Sequence, residues 1–169
     1  MKVLSLRQPW ASLVVLGEKR WETRSWNISY RGPLFIHASK RFLRDDKDLC
    51  KSQPFREAIR RGYPGWPTID MTVGRLPLGA IIGVVKLTEI VSTNNVTSDP
   101  TADWVQRFGN TYCFPHKEIE FGNYEPNRYA WQFEHPVMFD QPIPCTGSLG
   151  LFDLPGDVLD KIAQTGWKA

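Results

Sequence analysis

The chain has 169 residues, of which 41% are hydrophobic and 23% charged, and its formal net charge is +3. These values are typical of a soluble globular protein and argue against a disordered chain. The small positive surplus permits binding to nucleic acid but does not require it. The length favours a single domain over residues 1–169, and thirteen Gly and thirteen Pro favour a β-rich architecture with many turns.

The cysteines and the short apolar runs indicate the cellular compartment. Cys50, Cys113 and Cys145 are odd in number and widely spaced, so they do not indicate a disulfide framework. No run of about 18 apolar residues occurs, and the apolar start of the chain is too short for a signal peptide. We therefore expect a cytoplasmic protein that does not associate with a membrane.

The first part of the chain predicts strands and one helix. Pro9 suits the first turn of a helix, and Gly17 is placed to end it. Apolar, β-branched and aromatic residues on either side predict strands. In chain order the expected elements are strand 3–6, helix 9–16, strand 19–26, turn 27–32 and strand 33–37.

The rest of the chain predicts a helical insert followed by further strands. Ser39 is expected to cap a helix over 40–51, and Pro54 to begin a second helix that ends at Gly62. Residues 63–78 are rich in Pro and Gly and predict a loop. The later expected elements are strand 79–91, a loop and short helix over 99–109, strand 129–134, strand 148–152 and helix 158–164.

These elements together predict the fold class. Strands dominate, one helix lies between the first two strands, and other helices are inserted at the edge. We therefore expect an α+β fold, a small mixed β-barrel flanked by helices, with a helical and loop insertion over about 40–78.

Two short segments near the N-terminus carry charges that suit a binding site. Arg7 and Gln8 directly precede the predicted helix, where free N–H groups and a guanidinium favour an anion. Lys19, Glu22 and Arg24 then bring an amine, a carboxylate and a guanidinium within six residues. An exposed strand with surface ion pairs, each worth about 0–1 kcal/mol, explains the same pattern. Spacing alone leaves both interpretations open.

These segments resemble the signature of the ASCH domain family. The opening Ser5-Leu6-Arg7-Gln8-Pro9-Trp10-Ala11 is similar to the first family motif, and the run from Gly17 to Arg24 is similar to the second. Residues 30–38 and 141–152 are similar to the next strand and the closing strand of the family. The resemblance thus brackets nearly the whole chain and leaves 40–78 and 92–127 unmatched.

The resemblance implies a PUA-like barrel that binds RNA. Some small members of the family are amidohydrolases that remove an acyl group from the exocyclic amine of cytidine, and others are ribonucleases. In the hydrolase pattern the Lys of Gly-x-Lys is catalytic, which corresponds to Lys19, but Glu22 stands where that pattern has Thr. A later acidic residue assists there, and Glu89, Asp99 and Asp103 are the candidates in this chain.

A catalytic scheme assigns roles to Lys19, Glu22 and Arg24. The like charge of Arg24 would favour a neutral, nucleophilic Lys19, while Glu22 transfers a proton. Arg7 or Arg24 holds an oxyanion or a phosphate. Residues three apart in a regular strand point to opposite faces, so Lys19 and Glu22 converge only if Lys19 precedes the pleated part. Trp26 is expected to share a face with Glu22 and Arg24.

Aromatic residues crowd the same region and suit base recognition. A base stacked on such a ring gains about 1–3 kcal/mol, and Trp26 is the favoured stacking partner. Trp131 is a candidate for the floor of the cleft, with a core position favoured. His37 ends a buried strand, where a histidine more often packs in the core than acts as a base. The expected binding residues for RNA or a nucleoside are Ser5, Arg7, Gln8, Trp10, Trp26, Tyr30 and His37.

A run of basic residues in the insert has two explanations. A solvated amphipathic helix accounts for it, and the alternative is a surface that follows phosphates at the mouth of the cleft. The basic run comprises Arg41, Arg44, Lys47, Lys51, Arg56, Arg60 and Arg61.

Neither a metal nor a cofactor is expected. Cys113 and His116 form half of a metal site without a second pair, and no glycine-rich phosphate loop occurs.

Three functional hypotheses remain open. The first is a metal-independent hydrolase that acts on an acylated pyrimidine nucleoside or on RNA. The second is a module that binds RNA in the same cleft without chemistry. The third is a regulatory protein whose insert contacts a protein partner. A closed pocket that fits one nucleoside favours the first hypothesis, and an open groove favours the second.

Overall fold

The computed structural model describes residues 1–65 and 68–164, and within them the chain forms two sheets and six α-helices. No helix in these ranges is long and apolar enough to cross a bilayer. The strands are β1 (Lys2–Leu6), β2 (Trp21–Arg24), β3 (Gly32–Ala38), β4 (Ala80–Ser92), β5 (Val96–Asp99), β6 (Gln106–Phe108), β7 (Thr111–Pro115), β8 (Tyr129–Pro144) and β9 (Leu151–Asp153). The helices are α1 (Trp10–Val15), α2 (Arg44–Leu49), α3 (Phe55–Gly62), α4 (Ile69–Arg75), α5 (His116–Glu120) and α6 (Gly156–Gln164).

The larger sheet is a curled half-barrel of six strands in the order β2-β8-β4-β3-β1-β9. β1 and β3 are parallel, and the other neighbouring strands are antiparallel. Register shifts along the β4–β8 pair mark bulges, which increase the local twist and bend the sheet. The smaller sheet has the order β5-β7-β6. The expected mixed α+β fold, with helices flanking a barrel-like sheet, is confirmed.

Apolar side chains cover both faces of the six-stranded sheet, because successive strand residues point to opposite sides. On one face Leu4 and Ile36 pack with Val14 of α1. On the other face Val3 and Phe35 pack with the buried residues of α6. The short helix α1 is therefore fixed against the sheet, which positions its first residue, Trp10, relative to β2.

The insert packs on α1, and its first helix begins later than expected. Phe55 and Ile59 of α3 bury against Leu13 of α1. Ser39 does not cap a helix over 40–51; its hydroxyl instead accepts the Arg41 N–H, and α2 begins at Arg44. The reason is the buried carboxylate of Asp46, which accepts the Leu43 N–H at 3.0 Å and closes the first turn there.

Three other expectations for secondary structure were wrong. Residues 63–78 contain helix α4 rather than only loop; Pro67, which helped to predict that loop, lies outside the described residues. Residues 99–109 contain no helix and contribute instead to β5 and β6, which pair with the unpredicted β7. The strand expected over 129–134 extends to Pro144, so Pro142 and Pro144 belong to β8.

Glu18 ties α3 and α5 to the start of β2. Its carboxylate accepts hydrogen bonds from Arg61 at 2.9 and 2.8 Å and from Lys117 at 2.9 Å. The hydrogen bonds from Arg61, more than those from Lys117, lower the pKa of Glu18 from its ordinary 4.5 to about 2, against the opposing effect of burial. The folded-state pKa lies below the unfolded one. The stabilisation is therefore complete above about pH 4.5 and is lost as the pH falls towards 2.

Glu18→Gln should therefore lower the free energy of unfolding by about 1 kcal/mol at neutral pH, after allowance for solvent screening. The variant should also lose stability less steeply than the parent as the pH falls from 4.5 to 2. Urea unfolding at a series of pH values measures both effects. Identical pH profiles for the two proteins would show that Glu18 contributes nothing through its charge.

Candidate functional site

A cavity of about 460 Å³ opens where the start of α1, strand β2, the insert and the segment after α5 meet. Three arginines line it, Arg7, Arg24 and Arg128, and we refer to it as the arginine cavity. Its volume lies within the range of about 300–1,000 Å³ that is usual for small-molecule sites. The two carboxylates in its lining belong to Glu22 and Glu120, so the formal charge of the lining is +1.

Arg7 and Trp10 form one side of the arginine cavity. The Arg7 guanidinium lies 3.2 Å from the buried carboxylate of Asp46 and stands 5.5 Å above the Trp10 ring. The indole N–H of Trp10 donates to the Phe121 carbonyl at 2.7 Å. Phe55 meets the Trp10 ring edge to face at 5.9 Å. The half-buried Trp10 ring is thus fixed in orientation.

Arg24 occupies another side of the arginine cavity. Its Nη2 donates to the Ser5 carbonyl at 3.2 Å and lies 3.5 Å from Oε1 of Glu22. Its Nε is buried and has no partner in the described part of the chain. Arg7 and Arg24, the two arginines assigned to the site from the sequence, thus line one cleft near the start of α1.

Arg128 is the third arginine, and the sequence did not indicate it. Its Nε donates to the Asn123 carbonyl at 3.1 Å and its Nη2 to the Thr23 carbonyl at 3.4 Å. Its position depends on the turn that leads into β8, far along the chain from β2. The dipeptide Arg128-Tyr129 at the start of a predicted strand was the only available signal, and it is not specific.

Lys19 is fully buried and does not line the arginine cavity. Its Nζ donates to the Trp21 carbonyl and lies 3.8 Å from both Oε2 of Glu22 and Oε1 of Glu118. Because β2 begins at Trp21, Lys19 precedes the pleated strand, which is the condition under which Lys19 and Glu22 converge. Arg24, Glu22, Lys19 and Glu118 form a chain of alternating charges.

Glu118 is the acidic residue that faces Lys19. Its carboxylate also accepts the backbone N–H groups of Arg20 at 3.2 Å and Trp21 at 3.0 Å, at the free edge of the sheet. Burial raises the pKa of Glu118, and the charge of Lys19 opposes that rise. Burial, together with the charges of Glu118 and Glu22, raises the pKa of Tyr124 well above its ordinary value.

The three acidic candidates proposed from the sequence are placed away from Lys19. Glu89 accepts a hydrogen bond from the Tyr112 hydroxyl at 2.6 Å, and Asp99 accepts one from the Thr101 hydroxyl at 2.7 Å. Asp103 lines a different cleft. Glu118 lies 99 residues after Lys19 in the chain, and only the docking of α5 against β2 brings the two together.

Gly122 separates Lys19 from the arginine cavity. Gly122 lines the cavity, and a Cβ at this position would lie 3.2 Å from the Lys19 Nζ and 2.9 Å from Cε2 of Tyr124. Only the backbone of Gly122 therefore separates the Lys19 ammonium group from the arginine cavity.

Four of the residues expected to bind ligand do not line the arginine cavity. Gln8 is buried, donates to the Pro77 carbonyl and accepts the Ser12 N–H, so it caps α1 internally instead of leaving free N–H groups for an anion. His37 is also buried, between the Ser5 hydroxyl at 3.0 Å and the Cys145 carbonyl at 3.1 Å. Burial lowers the pKa of His37, which favours the neutral ring.

Trp26 and Tyr30 pack against the core instead. Strand β2 ends at Arg24, so Trp26 does not continue its face and meets Trp131 edge to face at 4.7 Å. Trp131 is fully buried, and its expected core position is confirmed. The Tyr30 hydroxyl donates to the nearby Pro33 carbonyl. Of the expected site residues, the arginine cavity brings together Ser5, Arg7, Trp10, Glu22 and Arg24.

Two classes of known protein are similar to this chain. The human and mouse proteins named Activating signal cointegrator 1 are 55% and 58% identical to it over 89 residues, which is 53% of this chain and 14% of each relative. The chain therefore corresponds to a small part of those proteins. A crystal structure of ASCH from Zymomonas mobilis covers 96% of this chain and 93% of its own, with a TM-score of 0.50 and 15% identity. This likeness supports the fold alone.

The family follows from the match to a family model. The model of the ASCH domain matches residues 4–142, which include both N-terminal motifs, the insert and most of β8. The match covers the three arginines of the cavity as well as Lys19 and Glu118. The chain belongs to the ASCH domain family.

Proposed function

We propose that the arginine cavity binds one nucleotide unit of a single-stranded RNA, with the phosphates held by Arg7, Arg24 and Arg128. The observation that carries this proposal is the convergence of three guanidinium groups on one cavity of about 460 Å³. ASCH domains generally bind RNA, and arginine forks match the geometry of phosphate oxygens.

The guanidinium groups are already oriented for such a ligand. Arg24 and Arg128 each use some of their N–H groups in hydrogen bonds to backbone carbonyls, and a guanidinium has five N–H donors. Apart from the buried Nε of Arg24, the remaining donors of these two residues can bind phosphate oxygens at little further cost in side-chain entropy. The Trp10 ring, fixed by its indole hydrogen bond, offers a surface on which a base can stack for about 1–3 kcal/mol.

The surroundings of Lys19 favour binding without chemistry. Two carboxylates lie 3.8 Å from its Nζ, and the same Nζ donates to the Trp21 carbonyl, so the amine already has partners within the protein. A fully buried lysine that contacts Glu22 and Glu118 and does not line the cavity is out of reach of a ligand there. In this proposal Lys19 is a positioning residue for the wall of the arginine cavity.

A second candidate function is hydrolysis of an acyl group on a pyrimidine nucleoside or of RNA. The observation that favours it is the thin wall at Gly122, one backbone thickness from the Lys19 Nζ. A small opening of the Glu120–Asn123 segment would expose the amine to a ligand in the arginine cavity. Glu22 or Glu118 would then accept a proton from Lys19.

Gly122→Ala separates the two functions, because the added methyl group would stand between the Lys19 Nζ and the cavity. A hydrolase should lose about a hundredfold or more of its rate, the size expected of one positioned base. An RNA binder should change its affinity less than threefold, since the arginines are untouched; the Tyr124 ring, 2.9 Å from the added Cβ, has to shift, and the thermal midpoint of the variant checks that the fold tolerates this shift. Gly156→Ala is the control, because a Cβ there meets no atom of the described residues within 4 Å.

The measurements are fluorescence anisotropy with a short single-stranded oligoribonucleotide and mass spectrometry of acylated nucleosides and RNAs after incubation. We expect the parent and both glycine variants to bind RNA alike and to leave every substrate unchanged. Conversion of a substrate by the parent that disappears in Gly122→Ala would instead establish the hydrolase. Absence of RNA binding by the parent would contradict the main proposal.

A further inference from the structure

A second cleft, of about 780 Å³, lies on the other side of α5 from the arginine cavity. It runs between the start of β2, the β8 segment at Glu134–Pro136 and the chain between β5 and β6, which carries Asp103 and Trp104. We refer to it as the acidic cleft. Nothing in the proposed RNA function uses this cleft.

The lining of the acidic cleft is negative, in contrast to the arginine cavity. The lining contains four carboxylates and two cationic side chains, which gives a formal charge of −2 with His135 neutral. Glu18 and Glu118 are compensated by the lysines and arginine described above. Within residues 1–65 and 68–164, neither Asp103 nor Glu134 forms an ion pair with a lysine or arginine, and Lys86, the cross-strand neighbour of Glu134, is not part of the cleft lining. Both carboxylates are therefore available to a ligand.

Trp104 stands at the rim of this cleft with 66% of its surface exposed. Exposing so large an apolar ring to water is unfavourable, and tryptophan is the aromatic residue that attracts cations most strongly. Asp103, adjacent in the chain, adds a negative charge beside the ring. An indole face next to free carboxylates is suited to an ammonium or guanidinium group.

The opposite wall is shaped by a bulge in β8. Lys86 pairs with Glu134 and Val84 with Val137, so His135 and Pro136 of β8 together oppose the single residue Val85 of β4, and His135 has a φ of +49°. β2 begins only at Trp21, which pairs with Gln132. Among the described residues, the segment 134–136 therefore has no strand beside it on the cleft side, and its side chains are exposed.

We propose that the acidic cleft binds a basic segment of a protein partner, with a lysine or arginine side chain of that partner seated against Trp104 near Asp103 and Glu134. The charge complementarity selects this occupant, because a nucleic acid would bring its phosphates to a lining of the same sign. The exposed guanidinium of Arg20, on the same lining, suits a backbone carbonyl of the bound segment.

The test uses the full chain and a fluorescein-labelled nonapeptide in which lysine and arginine alternate with glycine and serine. Anisotropy titrations compare it with a glutamate-containing peptide of the same length, with free spermine as competitor, and with a short oligoribonucleotide. Trp104→Ala and the pair Asp103→Asn/Glu134→Gln alter the acidic cleft. Phe108→Ala is the matched control, because Phe108 is equally exposed, at 64%, but does not line the cleft.

We expect the basic peptide to bind, the acidic peptide to fail, and Trp104→Ala to weaken binding about tenfold, the size of one desolvated cation–π contact. The carboxylate variant should weaken binding and reduce its dependence on salt. Phe108→Ala should change affinity less than twofold. Arg24→Ala, which alters the arginine cavity, should leave peptide binding unchanged, so a failure of the RNA proposal does not affect this one.

Three results would overturn the inference. The first is no peptide binding at 1 mM protein, and the second is peptide binding that Trp104→Ala and the carboxylate variant leave unchanged. The third is displacement of the peptide by spermine at equal concentration, or binding of the oligoribonucleotide that Trp104→Ala weakens, which would make the cleft a site for free polyamines or nucleic acid. Since Trp104, Asp103 and Glu134 are exposed, their substitution should not prevent folding, and the thermal midpoint of each variant checks this.

Discussion

Replacing Lys19 by methionine should lower the free energy of unfolding by about 3–5 kcal/mol, the cost of breaking a buried ion pair from one side. Methionine fills a similar volume, so the effect isolates the charge. Without the ammonium group, Glu22 and Glu118 lose their shared cation at 3.8 Å, and the Trp21 carbonyl loses a donor. Urea unfolding at pH 7 measures the difference.

A double variant distinguishes loss of charge from loss of packing. Lys19→Met/Glu118→Gln removes both members of one pair and should be less destabilised than Lys19→Met alone, because the buried Glu118 carboxylate is then no longer left without its cation and Glu22 keeps Arg24 as a neighbour. Glutamine can still accept the Arg20 and Trp21 N–H groups. If Lys19→Met lowers the free energy of unfolding by less than about 1 kcal/mol, the buried chain of charges does not stabilise the cavity wall.

Replacing Arg24 by alanine should weaken RNA binding by about 10- to 100-fold, the range for one lost hydrogen bond to a charged group of about 1.5–3 kcal/mol. The substitution removes a phosphate donor and also deprives Glu22 of its neighbour at 3.5 Å. The carboxylate of Glu22 would then repel the phosphate. Anisotropy titration with the oligoribonucleotide at one fixed salt concentration gives the ratio of dissociation constants.

Two comparisons make this result specific to the arginine cavity. Arg24→Lys keeps the charge but loses the planar fork, so its affinity should fall between those of the parent and Arg24→Ala. Arg44→Ala removes an arginine whose side chain is 93% exposed and outside the cavity, and it should change affinity less than twofold. Equal losses in Arg24→Ala and Arg44→Ala would mean that RNA binds through diffuse surface charge.

Local sequence signals predicted the elements around the arginine cavity. Pro9 and Gly17 bracket α1, and Gly17 has the positive φ of +76° that favours glycine at a helix end. Arg7, Glu22 and Arg24 lie within short motifs, so both the family resemblance and their convergence could be predicted. Each of these features depends on neighbours only a few residues away.

The features that the sequence did not predict depend on distant parts of the chain. Glu118 and Arg128 reach the site only through the packing of α5 and the turn before β8, and neither has a diagnostic local pattern. Lys19 was assigned a catalytic role, but it is fully buried between Glu118 and Gly122, and neither neighbour could be predicted from the sequence near Lys19. Trp26 was assigned to a strand face because nothing local shows that β2 ends at Arg24.

The helical insert illustrates the same limit in secondary structure. Alternating acidic and basic residues over 40–51 suit a helix throughout, yet the first turn forms only where Asp46 can accept the Leu43 N–H. Strand β8 passes through Pro136 and Pro142, which in isolation predict a turn. Bulges in the β4–β8 pair accommodate these prolines.

The central claim is that three arginines of one cavity contact RNA phosphates, and the salt dependence of binding tests it most directly. For single strands the logarithm of affinity falls with the logarithm of salt concentration by about 0.7 per phosphate contact, so three contacts predict a slope of about −2. Arg24→Ala should reduce that slope by about 0.7, while Arg44→Ala leaves it unchanged. An RNA affinity that is independent of salt, or a slope that Arg24→Ala does not alter, would contradict the account.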